Sequence, residues 1–185
     1  LALGCGLLIF QFVWHELRFD GFHEKGDRIH LVYQHDQRGA NTPLAYSSML
    51  SDAKQEALAA NYPEIIRAAR VTWIQPQVGQ GEALFEQKGV AVDPSFLEMF
   101  SFPLLRGDAA TALTSPHAVV LTEKVARQLW GEADPVGKVA SVQVEKEPRE
   151  FTVTGVLRDL PENSSLRFDV LLSHEGLATS GAGVT

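Results

Sequence analysis

The sequence predicts an α+β fold built on a mixed sheet and preceded by the end of a transmembrane helix. Short β-type segments alternate with single helices along the chain, and strands predominate in its second half. The 185 residues are 45% hydrophobic and 21% charged, which suffices for the core of one domain or of two small ones. The first charged residue is Glu16, so the N-terminal segment differs sharply from the rest.

Residues 1–14 are predicted to be the C-terminal part of a transmembrane helix. They are apolar, small or aromatic apart from Gln11. Fourteen helical residues rise about 21 Å, less than the roughly 30 Å of hydrocarbon, so the helix is expected to begin upstream. Trp14 followed by charged residues is typical of a helix that leaves the bilayer. A buried N-terminal helix of a soluble domain is the alternative, because so short an apolar run is ambiguous.

The charge balance argues against nucleic acid as a partner and favours the outer side of a membrane. Sixteen basic and 23 acidic residues give a formal charge of −7, and no run of Lys or Arg could follow a phosphate backbone. The segment after Trp14 mixes both signs, whereas cytoplasmic loops near a membrane carry excess Lys and Arg. The single cysteine, Cys5, permits neither an intrachain disulfide nor a thiolate metal cluster.

Caps, periodicity and turn residues predict the elements of the first half. A short strand is predicted in RIHLVYQ, and a helix in NTPLAYSSMLSDAKQEALAANYP from its cap, Thr42, to its stop, Pro63. A strand is expected in IIRAARVTWIQPQV. After a turn at Gly79 and Gly81, another is expected in EALFEQKGVAV, with a hinge at Gly89.

The second half is predicted to supply most of the sheet. A short helix is expected in DPSFLEMF and a buried strand in HAVVL. A longer helix is expected in TEKVARQLWG, with Thr122 as its cap and Gly131 as its stop. Pro135 and Gly137 predict a turn before the strand VASVQVEK, and FTVTGVLRD returns as its hairpin partner. The last segment, SHEGLATSGAGVT, predicts a loop or frayed end. Inward positions on the return strand are Phe151, Val153 and Val156.

No catalytic, cofactor-binding or metal-binding residues are predicted from the sequence. His23, His30 and His35 lie near one another and beside Asp36, but they form neither H-x-x-x-H nor H-x-H, so surface or half-buried histidines are expected. The sequence has no nucleophile elbow, no C-x-x-C pair and no phosphate loop. Glycine doublets at 4/6 and 79/81 lack the third glycine of a dinucleotide site.

Two further groups of polar residues are candidates for a catalytic or ligand-binding site. Asp159 and Glu162 flank Pro161, but RDLPENSS predicts an exposed turn without the apolar cleft that separates the pKa values of a catalytic carboxylate pair. Scattered arginines could form a ligand clamp, yet such side chains usually solvate a surface. These arginines are Arg67, Arg70, Arg158 and Arg167. The sequence therefore predicts no enzyme.

Five segments within residues 15–173 occur in an informative order. They are ELRFDGFHEKGDRIHLV, YPEIIRAAR, VDPSFLEMFSFPLLRGD, VVLTEKVARQLWGEADPVGK and FTVTGVLRDLPENSSLRFDVLLS. Each is weakly specific, but together they resemble the MacB-like periplasmic core domain of FtsX-type ABC transporter permeases. The departures are local. Relatives often have an aromatic residue and Arg where His30 and Leu31 stand, and His in place of Ser165.

The resemblance implies an extracytoplasmic domain inserted between the first two membrane helices of a permease subunit. This core domain would take residues 15–185 and be incomplete at its C-terminus, since the family usually continues into another porter segment and three further membrane helices. A porter-like subdomain of β-α-β pieces is implied for about 28–75 and 165–185, and a strand-rich subdomain for about 76–164.

The resemblance also implies partners, location and function. The permease would form a homodimer or heterodimer with a separate cytoplasmic ATPase, and a periplasmic adaptor or outer-membrane protein could join it. It would lie in the bacterial inner membrane, with lipid around residues 1–14 and this domain on the periplasmic or extracellular side. The domain would need no cofactor and would couple ATP-driven movement of the membrane helices to export or other work outside.

The first helix is expected to transmit that movement. No Gly or Pro lies between Leu7 and Asp20, so the helix could continue unbroken into the domain. A membrane-anchored ligand-sensing domain is the alternative function, and a pocket with convergent polar groups would favour it. A secreted hydrolase is the third interpretation.

Overall fold

The computed structural model describes residues 2–36, 45–47, 57–58, 60–81, 83–144 and 147–178. The chain divides into two units, Leu1–Gly26 with Ala69–Thr185 and, separately, Asp27–Ala68. The α-helices with described bounds are α1 (Ala2–Glu16), α2 (Phe96–Met99), α3 (Glu123–Trp130) and α4 (His174–Ala178), and Gly26–Arg28 is a 3-10 helix.

The described strands form one hairpin and one large sheet. In chain order they are β1 (Gln34–Asp36), β2 (Ala45–Ser47), β3 (Val71–Ile74), β4 (Gln77–Gln80), β5 (Ala83–Glu86), β6 (Gly89–Val92), β7 (Leu104–Arg106), β8 (Ala118–Thr122), β9 (Val139–Gln143), β10 (Arg149–Leu157) and β11 (Val170–Ser173). Strands β1 and β2 pair antiparallel in the Asp27–Ala68 unit. The other nine form a sheet in the order β3-β6-β11-β8-β10-β9-β4-β5, with β7 also paired to β10.

The large sheet is mixed, which confirms the predicted α+β class. Strand β10 runs parallel to β8, and β11 runs parallel to β6, whereas the other pairs are antiparallel. Strand β11 lies between β6 and β8. The proposed grouping of residues 165–185 with residues 28–75 in a porter-like subdomain stays a prediction.

Strand β8 is an apolar run because both faces of the sheet are covered there. All five of its residues are buried. Val119 and Leu121 pack in one cluster with Val125 of α3. Val120 faces the other way and packs in a second cluster that contains Phe96 of α2. The two clusters form the core on opposite faces of the same sheet.

The hairpin of β9 and β10 forms as its alternation and turn residues predict. Phe151, Val153 and Val156 are buried, as expected of the inward positions. Gly137 precedes the hairpin with φ +82, a conformation that side chains with a Cβ rarely adopt. Its N–H donates to the carbonyl of Val153 at 2.8 Å, which ties the turn to β10, the partner of the strand that the turn introduces.

Helix α3 spans the predicted residues, but a distant carboxylate caps it. Thr122 occupies the N-cap position, yet its buried Oγ1 has no hydrogen-bond partner among the described residues. Asp159 Oδ1 instead accepts from the N–H of Lys124 at 2.9 Å. The expected capping by the Thr122 side chain is therefore wrong. Gly131 ends the helix at φ +63, as predicted.

Several predicted boundaries in the first half are wrong. The strand in RIHLVYQ begins only at Gln34, after the 3-10 helix. The helix expected from Thr42 is wrong at Ala45–Ser47, which is a strand, because pairing with Gln34–Asp36 overrides the local helical periodicity. Most of that predicted helix lies outside the described residues. EALFEQKGVAV contains two strands. Strand β5 lies at one edge of the sheet, and β6 lies beside β3, the strand at the other edge.

Within the C-terminal segment, His174–Ala178 form a helix and not the predicted loop, and residues 179–185 lie outside the described residues. Gly176 explains why its sequence is a poor helical signal. A Cβ at this position would lie 2.0 Å from the carbonyl oxygen of Pro116, so only glycine permits the close approach. Packing thus requires a residue that helices otherwise disfavour.

Candidate functional site

Helix α1 displays a continuous apolar surface. None of the helices in the described part of the chain has both the length and the apolar character needed to cross a membrane. Exposed apolar surface of this extent usually marks contact with lipid or with another protein. The large apolar side chains exposed on α1 are Leu3, Leu7, Leu8, Ile9, Phe10, Phe12, Val13 and Trp14.

Helix α1 ends at Glu16 in a tightened turn. The N–H of Leu17 still bonds to the carbonyl of Val13 at 2.9 Å, but Arg18 and Phe19 donate to carbonyls only three residues back. Such three-residue bonds close the last turn of many helices. The helix therefore runs unbroken through Trp14, as expected, and ends two residues later, and a compact segment, residues 17–25, follows it. We call this segment the exit turn.

Asp20 fixes the exit turn to a loop of the domain that lies 145 residues away. Its carboxylate accepts from the Ser165 N–H at 2.9 Å through Oδ1, and from the Ser165 hydroxyl through Oδ2. Its own N–H donates to the Asn163 carbonyl at 2.9 Å. The Asn163 side chain donates to the Arg18 carbonyl at 2.7 Å. We call the set Arg18, Asp20, Asn163 and Ser165 the junction.

The backbone of Asp20 is strained. Its φ of 55 is the only positive value among the non-glycine residues that the structure describes. Aspartate tolerates this left-handed conformation better than most residues, but it still costs free energy. Strain of this kind persists only where surrounding contacts fix it, and it often occurs at functional positions. The four hydrogen bonds of the junction supply those contacts.

His23 anchors the exit turn in the core. It is 8% exposed, and its ring centroid lies 4.0 Å from that of Phe22, 5.2 Å from Phe100 and 4.9 Å from Phe102. Its Nδ1 accepts from the N–H of Ser101 at 3.1 Å. Burial lowers the pKa of His23, although the nearby Asp20 carboxylate opposes that effect. His23 is thus a structural histidine.

Of the other two histidine candidates, the structure describes the side chain of His30 alone. His30 is exposed, and the side chains of His35 and Asp36 lie outside the described residues. Within the part of the chain that the structure describes, no group of three potential ligands could hold a metal ion.

The candidate carboxylates and arginines have structural contacts. Asp159 caps α3, and the Glu162 side chain is exposed. Arg70 forms an ion pair with the buried Asp93, with 2.7 Å between Nη2 and Oδ1. Arg167 donates to the carbonyls of Glu162 and of Ser164, which stabilises the loop that carries the junction residues Asn163 and Ser165. Arg67 and Arg158 are exposed.

The pairing within the junction has no local signal in the sequence. Asn163 and Ser165 lie in a segment correctly expected to be a turn, but their partners stand 145 residues earlier. Neither hydrophobic periodicity nor a local motif relates residues so far apart. Asp20 and Asn163 both occur within the segments that carry the family resemblance, which is the only indication, whereas Ser165 is a departure from the family.

The fold and the junction define an α+β domain joined to an exposed apolar helix. Residues 1–184 match the family described as the MacB-like periplasmic core domain. The chain belongs to this family, which confirms the resemblance and identifies the domain as one of the periplasmic type. Its assignment to the FtsX-type permeases stays a prediction. A comparison with curated protein sequences finds no match.

Three solved structures share the fold. A domain of a protein described as a permease from Porphyromonas gingivalis is 30% identical, with a TM-score of 0.55, and the match covers 64% of this chain and 55% of that one. The extracellular domain of the noncanonic ABC-type transporter YknZ from Gram-positive bacteria is 15% identical, with a TM-score of 0.55 and coverage of 71% and 66%. The periplasmic region of MacB from Actinobacillus actinomycetemcomitans is 17% identical, with a TM-score of 0.53 and coverage of 71% and 59%. The match therefore spans about 55 to 66% of each solved chain.

Proposed function

We propose that this chain is the extracytoplasmic domain of an ABC transporter permease subunit. In this role it carries ATP-driven movement of the membrane helices to export or other work on the outer side of the membrane. Membership of the MacB-like family supports the location. The similarity to a domain of a permease, to the extracellular domain of the ABC-type transporter YknZ and to the periplasmic region of MacB supports the transporter context.

The hydrogen-bonded junction is the observation that carries the proposal. Movement passes between two bodies only if the connection between them is stiff, because a flexible linker absorbs it. Only three residues separate Glu16, the last residue of α1, from Asp20, whose carboxylate and N–H bind the Asn163–Ser165 loop. A rotation or shift of α1 would therefore pull directly on that loop.

The surface of α1 suits contact with lipid. Its apolar side chains are exposed along the helix, and Trp14 lies near its end. The Arg18 guanidinium stands 5.5 Å from the centre of the Trp14 ring. Aromatic and cationic groups concentrate where a helix leaves the hydrocarbon for the headgroups. We propose that α1 is the outer end of a transmembrane helix.

The proposal assigns ATP hydrolysis to a separate partner. The sequence has no phosphate loop, so a cytoplasmic ATPase would bind and hydrolyse the nucleotide. The permease would act as a dimer in the bacterial inner membrane, with a periplasmic adaptor or outer-membrane protein as a further partner. The domain itself would have no enzymatic activity.

A distance measurement on the assembled complex tests the proposal. Gln128, exposed on α3, is replaced by a spin-labelled cysteine after Cys5→Ser and the replacement of any cysteine elsewhere in the permease remove competing thiols. The permease homodimer and its ATPase are placed in lipid nanodiscs, and the distance between the two labels is measured without nucleotide and with ATP and vanadate. We expect the distribution to shift on trapping. An unchanged distribution, with ATP hydrolysis intact, would refute coupling and would favour the ligand-sensing alternative.

A further inference from the structure

The exit turn docks on helix α2 and on Ser101, which follows it. The N–H of Glu24 donates to Ser101 Oγ at 3.0 Å, and Lys25 Nζ donates to the carbonyl of Glu98 at 2.9 Å. Between these contacts and the junction, the His23 ring enters the aromatic cluster that contains Phe96 and Phe102. Docking of the exit turn therefore depends on one buried imidazole.

The hydrogen bonds of His23 define its protonation state. Nδ1 accepts the Ser101 N–H at 3.1 Å, so this nitrogen carries no proton, and the proton of the neutral ring lies on Nε2. Nε2 is buried and has no hydrogen-bond partner among the described residues. A second proton could bind only at Nδ1, where it would face the Ser101 N–H. Protonation thus converts the acceptor of this bond into a donor.

The surroundings of His23 oppose a positive charge, with one exception. Phe22, Phe100 and Phe102 surround the ring with apolar surface, and this burial lowers the pKa of His23 from the ordinary 6.5. Asp20 is the carboxylate that partly offsets the effect. The remaining charged groups of the exit turn, of α2 and of the residues up to Phe102 are Arg18, Glu24, Lys25 and Glu98.

We propose that His23 is a pH-sensitive latch that holds the exit turn on the domain while the imidazole is neutral. When the ring gains a proton, the Ser101 bond is lost and the charged ring leaves the aromatic cluster for water. The part of the exit turn between Asp20 and Lys25 then detaches from α2 and from Ser101. Since a domain outside the cytoplasm meets the pH of the surrounding medium, acidification would loosen the connection between α1 and the domain.

The direction of the effect follows from proton linkage. The docked His23 binds a proton less readily than the undocked one, whose pKa is near 6.5. The latch therefore has its full strength above that pH and weakens as the pH falls below it. The opening equilibrium of the exit turn should rise by up to about tenfold per pH unit, until the docked ring itself titrates.

Hydrogen exchange on the full-length permease in nanodiscs, read by mass spectrometry, tests the latch. Protection of peptides covering 17–27 and 98–104 is compared between pH 7.5 and 5.0, after correction for the intrinsic pH dependence of amide exchange. The natural protein should lose protection in both peptides at the lower pH. His23→Asn offers a neutral oxygen acceptor near the position of Nδ1 and should remove the pH dependence, whereas His30→Asn, an exposed control, should keep it.

Two results would overturn the latch. Equal protection at both pH values in the natural protein is one, and an undiminished pH dependence in His23→Asn is the other. If His23→Asn does not fold, exchange of the imidazole C2 hydrogen in the natural protein decides, since a latch requires the pKa of His23 to lie below the ordinary 6.5 of a histidine. These measurements concern the contacts of the domain itself, so their outcome is independent of whether ATP moves it.

Discussion

Asp20 holds a backbone conformation that costs free energy and makes the hydrogen bonds that offset this cost. Its φ is 55, and its carboxylate binds Ser165 through both the N–H and the hydroxyl. Alanine would retain the steric cost of a Cβ in the left-handed region and lose both hydrogen bonds. At this scale the junction depends on one side chain.

Replacement of Asp20 should therefore destabilise the domain measurably. We expect Asp20→Ala to lower the free energy of unfolding by about 2 to 3 kcal/mol. Asp20→Gly should cost roughly 1 kcal/mol less, because glycine removes the backbone strain. Urea denaturation of the purified chain measures both, with the exposed Asp27→Ala as a control near zero. Equal effects of Asp20→Ala and Asp27→Ala would show that the junction does not stabilise the domain.

Two glycines with positive φ should differ in their tolerance of a side chain. Gly137 has φ +82 and open space where a Cβ would lie, so Gly137→Ala should cost only the backbone strain, about 1 to 2 kcal/mol. At Gly107, with φ +89, a Cβ would lie 2.4 Å from the carbonyl oxygen of Thr154. Gly107→Ala should therefore cost roughly 3 kcal/mol or more. Thermal unfolding of both variants tests this order of stability. A Gly137→Ala variant less stable than Gly107→Ala would contradict it.

At the scale of elements, helix α3 is capped by Asp159, which lies two residues beyond the end of strand β10. Removal of that acceptor by Asp159→Ala should cost about 1 kcal/mol, because the Lys124 N–H loses its partner. Thr122→Val removes only a buried hydroxyl without a partner among the described residues, so stability should be unchanged or slightly higher. The urea denaturation midpoints of the two variants test both expectations. A larger loss of stability in Thr122→Val than in Asp159→Ala would show that the Thr122 side chain caps the helix.

The predictability of these elements follows the range of the interactions that form them. Strand β8, helix α3 and the β9–β10 hairpin are specified by local runs, alternation and turn glycines, so their positions are predictable from the sequence. Strand β2 exists through its pairing with β1, and no local pattern at Ala45–Ser47 indicates it. Local periodicity there favours a helix, and tertiary pairing overrides it.

The candidate site is less predictable than the fold for the same reason. The apolar character of α1 is local and is evident from composition. Its end at Glu16 depends on the exit turn, and the conformation of that turn depends on Asp20 meeting residues 145 positions away. His23 is expected to lie at the surface or half-buried, but it is buried, and the partner that makes it an acceptor, Ser101, lies 78 positions away in the chain.

At the scale of the whole molecule, transmission requires α1 to behave as a rigid body. Proline at Val13 would remove one backbone hydrogen bond and kink the helix, at a local cost of about 3 kcal/mol. We expect a permease with Val13→Pro to insert, assemble with its ATPase and hydrolyse ATP, yet to fail in its extracytoplasmic work. Val13→Ala is the matched control and should behave as the natural protein. Full activity of Val13→Pro would show that α1 serves only as a membrane anchor.

The junction is tested most directly by the movement of the domain when its contacts are removed. The spin-label distance at Gln128 is measured with and without ATP and vanadate in the double variant Asp20→Ala/Asn163→Ala, which leaves α1 unchanged. The control is Asp27→Ala/Glu162→Ala, which alters two exposed acidic side chains close by in sequence. We expect hydrolysis to continue in both and the nucleotide-dependent shift to be lost or at least halved in the junction variant alone. A full shift in the junction variant would contradict transmission through the junction.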